Sequence, residues 1–380
     1  MLHSKLPQVG TTIFTQMSAL AQTHEALNLS QGFPDFAAPE ALCQALGDAA
    51  CAGHNQYPPM AGLPTLREAV AKQVLHYRGV TVDPEHEITI VPGATEGIFC
   101  AIQAAINPGD EVIVLDPAYD SYEPAIVLAG GVAVHVPLQA ETFLPDWARI
   151  ADAVSARTRM IIINTPHNPC GSIWSAADMA ALEDLVERHD LLICSDEVYE
   201  FLVFDAQSHH SVLQYPVLRA RSFAHFSFGK TFSVTGWKTG YCIAPPALTQ
   251  ELRKVHQFVA FVAVAPVQHA LAQFMANNPE YPGTLANFYQ RKRDLFCNAL
   301  TSSQFQWRPT SGSFFQLLDY SALSDAPDHR LCIDWTGQHG VASIPISVFY
   351  QRPPVSRYLR FCFAKSDQTL LAAAERLCAI

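Results

Sequence analysis

From about residue 86 to residue 245 the chain alternates short apolar runs with amphipathic stretches. "EITIVPG" (Glu87 to Gly93) predicts a strand, and Thr95 to Ile106 a helix. "DEVIVLDP" (Asp110 to Pro117) predicts the next strand, with a helix through Ala125. "GVAVHVP" reads as a further strand, and "RMIIINTP" (Arg159 to Pro166) as a strongly apolar one followed by a helix over Ser175 to His189. "LLICSDE" and "SFAHFSFGK" complete the series. Buried strands separated by helices are the pattern of an α/β fold, a mostly parallel sheet with helices on both faces. Residues 1 to about 40 look like an arm with a short helix. Beyond about 270, helices mix with "GSFFQLL", "VASIPIS" and "RYLRFCFA", the strands expected of a smaller α+β unit. The expected division is therefore 1–40 as arm and part of the small domain, 41–270 as the large domain and 271–380 as the small C-terminal domain.

Composition narrows the class. In 380 residues, 49% are apolar and 16% charged, enough to bury a large core and too apolar for disorder. The longest apolar run, Phe258 to Val267, is far too short to cross a bilayer, and "MLHSKLPQVGTT" has no apolar signal core, so a soluble cytoplasmic protein is expected. A net charge of −11 without a basic run argues against nucleic acid or anionic membrane as a partner. The ten cysteines include no C-x-x-C pair, and Cys194 and Cys362 sit in apolar runs, as small buried hydrophobes do. The fifteen histidines lack ligand spacing, and adjacent His209 and His210 point to different sides, so no metal site is expected.

In an open parallel sheet, ligands bind beyond the carboxyl ends of the strands. "PGATEG", "TPHNPCG", "DEVY" and "FGKTFSVTGWK" each follow a predicted strand, so the unusual polar clusters fall at one edge. Gly93, Ala94 and Thr95 precede a helix, where exposed N–H groups hold an anion or Thr95 simply caps the turn. Asp196 ends an apolar strand and calls for a cationic or N–H partner, or else caps the next turn. Asn168 lies among turn signals and is equally a β-turn residue; Tyr199, three after Asp196, is otherwise core or rim. Lys230, beyond a central strand and flanked by glycine and hydroxyls, is desolvated, and its pKa should fall from about 10.4. Such an amine attacks a carbonyl to give a Schiff base. Lys238 and Ser227 suit a phosphate. Together the anion site, the lysine and the strand-end aspartate point to pyridoxal 5'-phosphate, with the aspartate keeping the pyridine nitrogen protonated.

These motifs, in the order "LNLSQGFPDF", "NQYPPMAGLPTLREAV", "PGATEGI", "DPAYDSY", "NTPHNPCGS", "SDEVYE", "SFGKTFSVTGWKTGY" and "RYLRFCFAK", span nearly the whole chain. The sequence resembles the class I/II aminotransferases of PLP fold type I, in the branch of kynurenine, glutamine and methionine aminotransferases. The resemblance implies a mostly parallel seven-stranded sheet between helices, a smaller α+β domain and a homodimer with shared active sites. It gives Lys230 the role of the cofactor-linking lysine and Asp196 that of the pyridine-nitrogen partner. Asn168 and Tyr199 would donate to the ring's phenolic oxygen, and Tyr119 would stack on the ring face. Gly93, Ala94, Thr95, Ser227 and Lys238 match phosphate ligands, joined by Tyr57 from the partner subunit. Arg360 matches the arginine that grips the substrate α-carboxylate, assisted by Gly32 and Asn168; strand alternation alone would equally make it a surface arginine. Most of the class has arginine where Lys238 stands and an apolar residue at Thr239; lysine keeps a point charge but not the bidentate fork.

The implied chemistry is a ping-pong transfer of an amino group to a 2-oxo acid. In it Lys230, once displaced by substrate, moves the Cα proton, while Arg360 orients the substrate. "HQFVAFVAVAP" (His256 to Pro266) has no cation, and with Phe14 and Phe33 it is expected to wall a pocket for a methionine-, glutamine-, phenylalanine- or kynurenine-type donor. A cysteine-conjugate C–S β-lyase would use the same groups. A ligand-sensing regulator would need a DNA-binding segment, which the sequence does not contain.

Overall fold

Seven short strands, six of them almost wholly buried, form the central sheet: β1 (Ile88–Val91), β2 (Glu111–Asp116), β3 (Val132–Pro137), β4 (Thr158–Asn164), β5 (Leu192–Asp196), β6 (Ser222–Ser227) and β7 (Gly240–Ile243). The computed structural model describes residues 3–354 and 357–380, so the first two residues of the expected arm lie outside the described part. The strand order is β1-β7-β6-β5-β4-β2-β3, and only β7 runs antiparallel to its neighbours. Runs such as "MIIIN" and "LICSD" are apolar throughout because helices cover both faces, while edge strand β3 keeps exposed positions. The residue pattern picks out six of these strands; β7, whose four residues are all buried and carry no alternation, is the seventh that the resemblance implies.

Register decides what meets at the sheet's edge. Asn164 at the end of β4 pairs with Asp196 at the end of β5, and Asp196 with His225 on β6. Gly240, which opens β7, pairs with Ser227 on one side and Val91 on the other. The loops after β1, β4, β5 and β6 therefore converge. The helix after β2 runs from Tyr122 to Leu128, past the expected reach to Ala125. Residues 117–121 form a loop ahead of it, and Tyr119 sits in that loop.

The second unit is a three-stranded antiparallel sheet in the order β9-β10-β8, where β8 is Phe315–Asp319, β9 is Ile344–Pro345 and β10 is Tyr358–Cys362. The arm joins this side of the molecule: Leu27–Asn28 pairs in parallel with Val341–Ala342, and the helix Ile13–Thr23 packs on the helix Asp328–His339. Residue 270 falls inside the helix Ala265–Asn277, which packs on the helices Glu40–Cys51 and Pro64–Arg78.

Candidate active site

The chain turns sharply after β6 into one helical turn, Phe228–Thr231, with Phe228 and Phe232 buried beneath it. That anchoring points Lys230 away from the aromatic layer. Its Nζ donates to the Gly32 carbonyl at 2.9 Å and lies 5.0 Å from the Phe314 ring and 5.5 Å from the Tyr199 ring. Burial lowers its pKa to about 8; Arg360 and Lys238 add to the fall, and Cys362 and Asp196 oppose it. An amine that is partly neutral near physiological pH is a competent nucleophile and base.

Asp196 closes β5 on the same cavity. Burial raises its pKa to about 6, countered by a 2.6 Å hydrogen bond from the Tyr122 hydroxyl, by the Val198 N–H at 3.3 Å and by the charge of Lys230. The carboxylate therefore sits in low dielectric with a short list of donors, which is the environment of a group awaiting a cationic partner.

The opposite end of the cavity is built for an anion. Gly93, at φ 79°, is the N-cap of the helix Ala94–Ala105, and no side chain caps that helix. A Cβ at position 93 would stand 3.3 Å from Lys238 Nζ, so glycine leaves the amine room to lie over the helix start. Gly240 is needed for closeness: a Cβ there would be 2.4 Å from the Phe226 carbonyl and 3.0 Å from the Ala94 N–H. The result is a cavity of about 200 Å³. Gly93, Ala94, Thr95, Ser227 and Lys238 line one part of it, and Tyr119, Asn168, Asp196, Tyr199 and Lys230 the rest.

Arg360 approaches from the small sheet, wholly buried in the middle of β10. Leu359 and Phe361 belong to the core, and Arg360, which does not itself line the cavity, meets it through Asn168. Its guanidinium donates to Asn168 Oδ1 at 2.8 Å and to the Ser30 carbonyl at 2.8 Å, and its carbon lies 4.0 Å from the Phe315 ring centre. Arg360 Nε has no partner. Burial lowers its pKa to about 10, leaving it cationic. Gly32 does not line the cavity; it meets Lys230 through its carbonyl.

Tyr57 is the sequence-predicted site residue that lies apart, 80% exposed and packed edge-on against Phe261 at 5.4 Å. A larger cavity of about 540 Å³ shares Tyr119 with the first and is lined by Phe14, Val348, Phe349 and Asp120. Phe14 is thus a pocket wall. Phe33 lines neither cavity, because Lys365 holds it elsewhere, donating to its carbonyl at 2.8 Å and lying 4.4 Å from its ring centre. The stretch His256 to Pro266 lines neither cavity, and its Phe258 is 87% exposed.

Residues 24–377 match the family model described as aminotransferase class I and II. The chain belongs to that family. This aminotransferase is 50% identical over 375 residues to the methionine aminotransferase of Escherichia coli (strain K12), covering 99% of this chain and 97% of the relative. A solved Escherichia coli structure whose report identifies a methionine aminotransferase function superposes with a TM-score of 0.98 at 49% identity over 100% of both chains. Kynurenine–oxoglutarate transaminase 1 of Rattus norvegicus is 31% identical over 407 residues, covering 98% of this chain and 96% of that one. An aspartate aminotransferase mutant from Thermus thermophilus superposes at 0.90 with 29% identity, over 100% of this chain and 99% of that one.

Two residues that shape this cavity escaped sequence reasoning. Tyr122, in "DPAYDSY", reaches Asp196 across 74 positions of sequence, and its proximity to Tyr119 was the only hint. Asn164 ties two loops together, donating to the Asp196 carbonyl and accepting from the Asn168 N–H, both at 2.8 Å.

Proposed function

We propose that the cavity holds pyridoxal 5'-phosphate and that the enzyme transfers the amino group of a neutral or aromatic amino acid to a 2-oxo acid. The observation that carries the reading is the opposition, across one 200 Å³ cavity, of a lysine with a lowered pKa and a buried aspartate, with an uncapped helix start and a second lysine at its end. These groups fit the cofactor: the glycine cradle at position 93 admits a phosphate, Lys238 supplies a countercharge, and Asp196, whose donors are the Tyr122 hydroxyl and the Val198 N–H, could pair directly with a protonated ring nitrogen.

When bound, the cofactor supplies an aldehyde for an amine and a ring that withdraws electrons from a substrate Cα. Lys230 would hold that aldehyde at rest and carry the proton between substrate Cα and the acceptor carbon. Asp196, positioned by Tyr122, would hold a proton at the ring nitrogen. Asn168 and Tyr199 would donate to the ring oxygen, and Tyr119 would cover one face. Gly93, Ala94, Thr95, Ser227 and Lys238 would hold the phosphate, with Tyr57 contributed by a second copy in a homodimer. Arg360, stacked on Phe315 and tied to Asn168, would fix the substrate carboxylate next to Gly32, which is an orientation effect.

The donor side chain would enter the 540 Å³ cavity. Its apolar wall of Phe14, Val348 and Phe349 favours an uncharged side chain, while the charged lining is mixed, with Asp120 and Glu123 set against Lys5. The relatives that act on methionine and kynurenine support the same choice. Steady-state assays with methionine, glutamine, phenylalanine, kynurenine and aspartate test it. We expect kcat/KM for aspartate at least about tenfold below the best neutral donor, the scale of one unfavourable charge contact. Equal turnover of aspartate and methionine would refute the substrate reading. Pyruvate and ammonia from a cysteine conjugate, without any oxo acid acceptor, would instead assign β-elimination.

A further inference from the structure

Behind the first turn of the Ala94–Ala105 helix, on the side away from the cavity, lies a buried polar cluster that the proposed reaction does not use. Glu96 and Cys100 are four apart on that helix, so they share a face. His256 reaches them from the helix Pro246–Val259. His256 Nδ1 lies 2.7 Å from Glu96 Oε1, and the Cys100 thiol donates to the same oxygen at 3.1 Å. The donor atoms of the three residues all fall within 4.8 Å of one another. His256 is completely buried, yet among the described residues its Nε2 has no partner, and neither does Glu96 Oε2. Leaving such buried polar atoms without a partner is costly. Cys242, on β7, is close enough that the charge of Glu96 adds to burial in raising its thiol pKa.

We propose that Glu96, Cys100 and His256 form a binding site for one divalent zinc-type cation, a structural clamp between two helices. Two proton donors converge on one carboxylate oxygen, and a cation can take the place of both. With Cys100 as thiolate, Glu96 as carboxylate and His256 neutral, a charge of +2 leaves the site neutral, which a buried location requires. Mixed sulfur, nitrogen and oxygen donors suit Zn²⁺, whose bonds of about 2.0–2.3 Å would set the ligand atoms roughly 3.3–3.8 Å apart in a tetrahedron. The two contacts to Glu96 Oε1, at 2.7 and 3.1 Å, would lengthen by less than about 1 Å to reach that spacing, with the fourth position open to Cys242 or water. The ligands come from separate helices, so spacing along the chain does not reveal them. Binding would release the Cys100 proton to solvent. The clamp would hold the same N-terminal part of the helix whose first residues, Gly93 to Thr95, line the cavity.

The test uses the chelator-washed, cofactor-loaded enzyme with Zn²⁺, followed by native mass spectrometry and thermal melting. We expect one Zn²⁺ per chain that survives dialysis, a raised melting temperature, and release of about one proton. Cys100→Ala should weaken binding on the order of 100-fold, the upper range for disturbed metal sites, and Cys43→Ala, on an exposed cysteine, should not. With Cd²⁺, the wild type should show an ultraviolet thiolate band that Cys100→Ala lacks; this difference also decides the matter should His256→Gln fail to fold. Absence of retained Zn²⁺ in the wild type, or retention undiminished in Cys100→Ala, overturns the proposal. Neither result bears on pyridoxal phosphate binding, which its own absorbance reports.

Discussion

At the scale of single residues, the cavity concentrates groups held away from their ordinary ionisation. Lys230 is the clearest, with its pKa lowered to about 8 from 10.5, first by burial. In the cofactor-free protein this has a definite sign. Between pH 8 and 10.5 the unfolded chain binds a proton at this position that the folded chain has released, so stability rises with pH there. Below pH 8 both states are protonated and the desolvation penalty is fully felt; above 10.5 it is gone. Lys230→Met removes the charge and keeps the shape. The cofactor-free variant should therefore melt above the cofactor-free wild type at pH 7, with the gap narrowing as pH rises through that window. Calorimetry at several pH values checks this, and a pH-independent gap contradicts it. Lys230 and Asp196 were legible because a charged residue at the end of an apolar strand breaks a strong pattern. Tyr122 was not, because its role depends on the β2 loop folding back over β5, and no local periodicity encodes that approach.

At the scale of elements, the site depends on how tightly β6, β7 and the helix starting at Ala94 come together. The strands β1 to β6 were visible as apolar runs, and so was the helix Ala176–His189, where Ser175 and Asp178 form a capping box. The reversal at β7 was not, since four buried residues show no period that distinguishes direction. Yet β7 sets the closest backbone approach in the site, at Gly240. Gly240→Ala places a methyl group 2.4 Å from the Phe226 carbonyl and 3.0 Å from the Ala94 N–H, both backbone groups that cannot swing aside. The strand must shift outward, away from the Gly93 cradle. We expect a loss of about 1–3 kcal/mol in stability, as for overpacked sites, together with weaker cofactor binding than the stability loss alone gives. Denaturant unfolding and cofactor titration on the same preparation separate the two. Unchanged cofactor affinity would mean that the cradle does not depend on this approach.

At the scale of the whole molecule, an acidic chain of net charge −11 gathers Lys230, Lys238 and Arg360 around one small region, so the local field runs against the global one. The surface carries a second contrast. Tyr57, Phe258, Phe261 and Val264 are 80%, 87%, 45% and 55% exposed, and the Tyr57 and Phe261 rings already touch. Single exposed hydrophobes are ordinary, but the paired Tyr57 and Phe261 rings, with Phe258 and Val264 exposed nearby in sequence, suit the contact face of the proposed homodimer. The apolar run His256 to Pro266 lines neither cavity of its own chain, and in the proposed homodimer it would serve the partner's site. Sequence alone supplied the composition of that run but not the direction it faces. Replacing both Phe258 and Phe261 by aspartate puts like charges on each side of a two-fold contact. Sedimentation should then find monomers where the wild type sediments as a dimer, and cofactor affinity should fall at least about tenfold, the worth of one lost hydrogen-bonded contact to a charged group. A dimer that persists, or a monomer that binds the cofactor undiminished, removes Tyr57 from the site and leaves each chain to complete its own.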